Sequence, residues 1–127
     1  MVRPRVLLVD ENHLLTKSLA RCFARLGCSA TVAFNCSDAA ASPGPFDCGV
    51  FDVEVGATDG VAFAERLRRA GTIATATFYC TSSNGRLLRR ASAIGPVVFK
   101  DAPMSQLMQA VRAQIEVARS GRIGRGG

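Results

Sequence analysis

Gly49-Val50-Phe51-Asp52-Val53-Glu54-Val55-Gly56-Ala57-Thr58-Asp59-Gly60 runs from a short apolar segment straight into a carboxylate and then into turn chemistry. That is the pattern of a buried strand delivering Asp52 to the rim of a sheet. Upstream, the apolar run Val6-Leu7-Leu8-Val9 ends in Asp10-Glu11, and downstream Val97-Val98-Phe99 ends in Lys100. Three strand ends therefore carry charges of complementary sign, and in a parallel sheet such ends lie side by side.

Working outward, residues 5–9 read as a continuous apolar strand, buried on both faces. Leu15, Leu19, Cys22, Phe23 and Leu26 follow at helical spacing, with Gly27 placed to cap the helix. A second strand is expected over residues 30–34, then a brief helix over 37–41 with Ser37 near its N-cap, ended by Ser42-Pro43-Gly44-Pro45. The third strand spans residues 48–51. Thr58 or Asp59 caps a helix to about Arg69 that turns Val61, Ala64 and Leu67 inward. Residues 73–80 are a β-rich fourth strand. Leu87, Leu88, Ala91 and Ile94 mark a fourth helix, and residues 97–99 a fifth strand. Met104, Leu107, Met108, Val111, Ile115 and Ala118 give the cleanest helical stripe, with Pro103 suited to its first turn. Strand and helix alternate five times, which predicts a single α/β domain: a doubly wound five-stranded parallel sheet, (βα)5, with helices on both faces. The domain is placed at residues 3–118, followed by a flexible, basic, Gly-rich tail over 119–127.

Composition narrows the field further. At 127 residues the chain is one domain with a core of its own. No apolar run is long enough for a membrane span or a signal peptide, so a cytoplasmic protein is expected. Five cysteines, with no C-x-x-C pair, argue against a disulfide framework and a zinc site. Cys22 and Cys80 fall on apolar faces as small core residues. The net charge of +6 is concentrated in the second half, on Arg66, Arg68 and Arg69 of one helix and Arg119, Arg122 and Arg125 of the tail. A solvated helix face and a frayed end account for it better than direct nucleic-acid binding does.

Asp10, Glu11 and Asp52 would share one pocket at the carboxyl ends of the strands. Two carboxylates about 5 Å apart repel by roughly 3 kcal/mol at an effective dielectric near 20. Gathering three therefore calls for cations. Lys100 is one, and oxygen-only ligands favour Mg²⁺ as the second. An aspartate beside Mg²⁺ and a lysine is set up to accept a phosphoryl group, and Thr81 at the end of the fourth strand can hydrogen-bond it.

These residues resemble the receiver domain of two-component response regulators, the CheY-like family, from about Arg3 to Ala118. The resemblance is carried by Val9-Asp10-Glu11, by Asp52 followed by Asp59-Gly60, by Thr81-Ser82, and by Phe99-Lys100-Asp101. It implies a flavodoxin-like sheet of order 2-1-3-4-5 and Mg²⁺-dependent phosphorylation on Asp52. It implies that Asp10, Glu11, Asp52 and the backbone carbonyl of Glu54 hold the metal, that Lys100 binds the phosphoryl oxygens, and that Thr81 is the switch hydroxyl. Implied partners are a sensor histidine kinase or phosphotransfer protein and a downstream protein, with homodimerisation left open. Such a domain is a phosphorelay switch and not an enzyme in its own right.

The chain departs from that pattern in three places. Gly56 and Ala57 stand where the family usually has Pro-Gly, the segment between Thr81 and Lys100 is short, and Val97 replaces an aromatic residue. The departures leave phosphorylation in place and bear on output. They motivate the alternative of a pseudo-receiver that binds partners without phosphorylation. A small aspartyl-phosphate phosphatase is a further alternative, on the Phe51-Asp52-Val53-Glu54 fragment, although such a motif belongs near the N-terminus of a longer chain.

Overall fold

A computed structural model describes residues 2–81 and 83–126. Ser82 of the Thr81-Ser82 motif and Gly127 of the expected tail lie outside the described residues. Strands β1 (Arg5–Val9), β2 (Ser29–Ala33) and β3 (Phe46–Phe51) are followed by a short pair, β4 (Glu54–Val55) and β5 (Thr58–Asp59), then by β6 (Ile73–Cys80) and β7 (Val97–Phe99). Helices α1 (His13–Arg25), α2 (Cys36–Ala41), α3 (Gly60–Arg69), α4 (Gly85–Ser92) and α5 (Met104–Gly126) connect them. Five strands form one parallel sheet in the order β2-β1-β3-β6-β7. Numbered within that sheet alone, this is the expected 2-1-3-4-5, the arrangement that puts a crevice outside the carboxyl ends of the central strands.

Period-two alternation sorts the core into two layers. Leu7, Val9, Phe51 and Phe78 face α2, α3 and α4, where they meet Ala39, Phe63, Leu67 and Ala91. Val6, Leu8, Val50 and Tyr79 face the other way, onto Leu19 and Phe23 of α1 and Leu107 and Val111 of α5. Burial of each large side chain contributes about 1.5–3 kcal/mol. The β1 run is apolar without interruption because both its faces are covered.

Local detail departs from the sequence expectation in places with identifiable causes. Strand β3 begins at Phe46, two residues early, because the buried Asp47 is satisfied there by the Arg5 backbone N–H at 2.7 Å. Helix α2 is capped by Asn35, whose Oδ1 accepts from Asp38 N at 2.7 Å, and not by Ser37. Leu26 is 46% exposed and Cys22 only half-buried, so neither is a core residue, whereas Cys80 is fully buried. The backbone of α5 continues past Ala118 to Gly126, through the segment expected to be a flexible tail. Glycine lowers helix propensity, but extending an existing helix needs no new nucleus.

Candidate functional site

The carboxyl ends of β1, β3 and β7 place three charged side chains together. Lys100 Nζ donates to Asp10 Oδ2 at 2.7 Å and to Asp52 Oδ2 at 2.8 Å. Each carboxylate has its other oxygen engaged locally: Asp10 Oδ1 accepts from Asn12 N at 2.9 Å, and Asp52 Oδ1 from Glu54 N at 3.3 Å. Asp10 and Lys100 are nearly sealed from solvent, with side-chain exposures of 7% and 16%. Burial alone would lower the Lys100 ammonium. The hydrogen bonds and charges of Asp10 and Asp52 outweigh it and hold the group above its ordinary value of 10.5.

The loop after Asp52 explains its own sequence. Val55 pairs with Thr58 and Glu54 with Asp59 in an antiparallel hairpin, which leaves Gly56 and Ala57 as a two-residue turn. Gly56 has φ +60° and Ala57 no positive φ, the pattern of a type II′ turn, which calls for glycine at its first central position. Asp59 then caps α3, its Oδ1 accepting from Val61 N and Ala62 N, both at 3.0 Å. Its Oδ2 receives Arg90 Nη1 of α4 at 2.9 Å. Partial burial works to raise the Asp59 carboxyl. The Ala62 N–H, the Arg90 guanidinium and the Val61 N–H outweigh it and hold the group below its ordinary 3.8. Gly60 is required by close approach, since a Cβ there would overlap the Asp52 carbonyl oxygen. Gly60 N also donates to Val53 O at 2.9 Å, so the Asp59-Gly60 pair packs against the backbone just after Asp52.

Of the residues singled out in the sequence, Asp10, Asp52 and Lys100 come into direct contact. Glu11, Asp52, Glu54, Gly56 and Thr81 line an open polar cleft beside them. Thr81 and Lys100 also line an adjoining hollow with Phe99 and Asp101. Among the described residues no three His, Cys, Asp or Glu side chains converge closely enough to form a metal cluster. The expected gathering of Asp10, Glu11 and Asp52 therefore takes a looser form, in which Lys100 bridges the two aspartates and Glu11 stands at the cleft. The donor set still fits Mg²⁺ in kind. Every side-chain ligand offered is a carboxylate oxygen, and Mg²⁺ is commonly held by one or two carboxylates with water completing its shell.

Sequence reasoning passed over two residues. Tyr79 is 4% exposed, and its ring centroid lies 6.0 Å from Lys100 Nζ, forming an aromatic floor under the ammonium. The signal for it was its position on β6, on the face that alternation turns toward α1 and α5. His13 stacks on Phe34 with ring centroids 3.6 Å apart, joining the start of α1 to the end of β2. No local pattern links those two positions.

No family model and no curated protein sequence matches the chain. Solved structures do. The signal receiver domain of an HD domain-containing protein from Pseudomonas fluorescens Pf-5 superposes with a TM-score of 0.82 at 20% identity, covering 96% of this chain and 93% of that one. The signal receiver domain of a modulated diguanylate cyclase from Desulfovibrio desulfuricans G20 gives 0.79 at 24% identity, over 94% and 99% of the two chains. A Thermotoga maritima response regulator, solved in complex with Mg²⁺ and BeF, gives 0.76 at 20% identity, over 87% and 98%. The chain has the fold of response-regulator receiver domains over nearly its whole length.

Proposed function

We propose that this chain is a phospho-accepting receiver in a two-component phosphorelay, with Asp52 the acceptor. The observation that carries the reading is Lys100 Nζ holding Oδ2 of both Asp10 and Asp52 at the carboxyl ends of the sheet. One ammonium between two carboxylates leaves the site net negative, so it calls for a further cation before it takes on the charge of a phosphoryl group.

An Asp52 carboxylate oxygen attacks the donor phosphorus. The bond from phosphorus to the donor's oxygen or nitrogen breaks, and the leaving group takes that electron pair. The product is an acyl phosphate on Asp52. Lys100 is within reach to leave Asp52 Oδ2 and donate to a phosphoryl oxygen while keeping its bond to Asp10. Thr81, at the mouth of the cleft, offers its hydroxyl to another. Asp10 and Glu11, with Asp52 and Glu54 beside them, are the residues that would hold Mg²⁺, which when bound supplies positive charge to offset that of the transferring group. The donors are a histidine kinase or phosphotransfer protein, and the readout is a downstream protein. The reading places the chain in the cytoplasm, as a switch and not a turnover catalyst. Among the described residues no helix is long and apolar enough to cross a membrane.

Incubation with acetyl phosphate and Mg²⁺, followed by intact-mass measurement, tests the assignment. The wild type gains one phosphoryl group and Asp52→Asn gains none; equal labelling of the two would overturn it.

A further inference from the structure

The α1–α5 side of the molecule carries an apolar groove that phosphoryl chemistry does not use. Its floor is Phe23, Cys28, Val111 and Ile115, and Pro4 closes the end where the strands begin, away from Asp52. Leu26, Met108 and Arg112 continue it between the helices, toward Cys22 and Arg25. Helix α5 rests chiefly on β6 and β3, and the channel follows its flank beside α1.

The rim is strongly basic. Helix α1 carries Lys17, Arg21 and Arg25 and no acid at all. Of these Arg25 lines the groove, with Arg112 on its α5 side, while Lys17 and Arg21 extend the positive charge along α1. All four are exposed, and among the described residues none meets a carboxylate within ion-pair distance. Among the described residues Glu116 is the one acid on the groove wall. An apolar floor between basic rims matches one class of occupant: a helix with an apolar stripe flanked by Asp and Glu, in the helix-in-groove mode. A second copy of the chain does not suit it, since a two-fold pairing of this face would set Arg25 and Arg112 against their own kind. A nucleic-acid backbone would satisfy the rim but leave the floor uncovered.

We infer that the α1–α5 groove is a docking site for an acidic amphipathic helix of a partner protein, separate from the phosphorylation cleft. The test uses the full chain and a fluorescent, designed Leu/Glu amphipathic peptide. Its Leu/Lys counterpart and a duplex oligonucleotide serve as the other arms. Saturable anisotropy is expected with the Glu peptide alone, with amide shifts confined to residues 22–28 and 105–116 and slower alkylation of Cys22. Arg25→Glu with Arg112→Glu, both at exposed positions, should weaken binding by more than roughly tenfold. Arg68→Glu with Arg86→Glu, on the opposite face, should leave it unchanged. Equal binding of the Lys peptide, displacement by the oligonucleotide, shifts outside the groove, indifference to the Arg25 and Arg112 reversals, or sedimentation showing a dimer closed over this face would each overturn the inference.

Discussion

At the scale of single residues, the site is governed by one ammonium. Lys100→Met would leave Asp10 and Asp52 facing each other with their shared donor gone, and Asp10 is almost wholly buried. The loss expected at neutral pH is about 2 kcal/mol, the usual size for breaking partly buried charged hydrogen bonds. Because the folded pKa of Lys100 is raised above 10.5, its contribution is complete below 10.5 and is lost as pH climbs through the higher folded value. Urea denaturation of wild type and Lys100→Met should therefore differ clearly at neutral pH and converge in strong alkali. Under the proposed function, Mg²⁺ would act on the same balance. Millimolar Mg²⁺ should raise the melting temperature of the wild type by binding the folded state preferentially, and Asp10→Asn should blunt that response. A wild-type melting temperature indifferent to Mg²⁺ would count against the metal assignment.

Elements come next, and here Asp59 joins two of them by capping α3 and receiving Arg90 from α4. The two roles differ in weight. Losing the cap frees the N–H groups of Val61 and Ala62, so Asp59→Ala should cost about 1 kcal/mol. The Arg90 pair is roughly two-fifths exposed on both sides, so Arg90→Ala should cost less than about 0.5 kcal/mol. The Asp59 pKa is depressed below 3.8, so its contribution is present above 3.8 and disappears as pH falls through the lower folded value. Thermal melts of both variants at neutral pH and near pH 3 check the ranking and its direction. The same elements mark where sequence reading succeeds and where it stops. Strand β1 was legible because burial on both faces writes an unbroken apolar run, and β6 because Thr75, Thr77, Phe78 and Tyr79 make it rich in β-branched and aromatic residues. Asp59 as a cap was legible because capping is local. The β4–β5 hairpin was not, because two-residue strands are too short to show alternation, and its Gly56 turn reads as any loop. Nor was the buried Asp47, which accepts from a backbone N–H some forty residues away. The bridging of Asp10 and Asp52 by Lys100 was legible only through topology, since the strand order alone brings three distant strand ends together.

Over the whole molecule, the question is how far a phosphoryl group placed on Asp52 would be felt. In the family this chain resembles, the switch hydroxyl moves toward the phosphoryl group and an aromatic ring on the last strand swings into the space vacated. Thr81 stands at the cleft and can make the first movement. The second needs a ring, and Val97 has none; it is half-buried on β7, paired with Phe78 and packed against the α3–α4 layer. A β-branched side chain also has few χ1 states to exchange. Helix α4 has only eight residues, and Arg90 ties it to Asp59 at the start of α3. The lower half of α5 is tied as well: Arg119 Nη2 donates to Val2 O at 2.8 Å, and Thr75 Oγ1, which bonds Asp47 O at 2.7 Å, lies 3.5 Å from Gln114 O. Activation should therefore perturb the loops around Asp52 and Thr81 strongly, and β7 and residues 107–115 of α5 only weakly. Partner surfaces that read the phosphoryl group would then lie beside the cleft or on the start of α1, where Leu14 is 82% exposed. Backbone amide shifts with and without beryllofluoride in Mg²⁺ decide this. Large shifts confined to residues near 52–60 and 81–86 are expected. Shifts of similar size along Val97–Phe99 and through residues 107–115 would mean that the sheet edge and last helix still relay the signal without the ring, and that Val97 does not limit output.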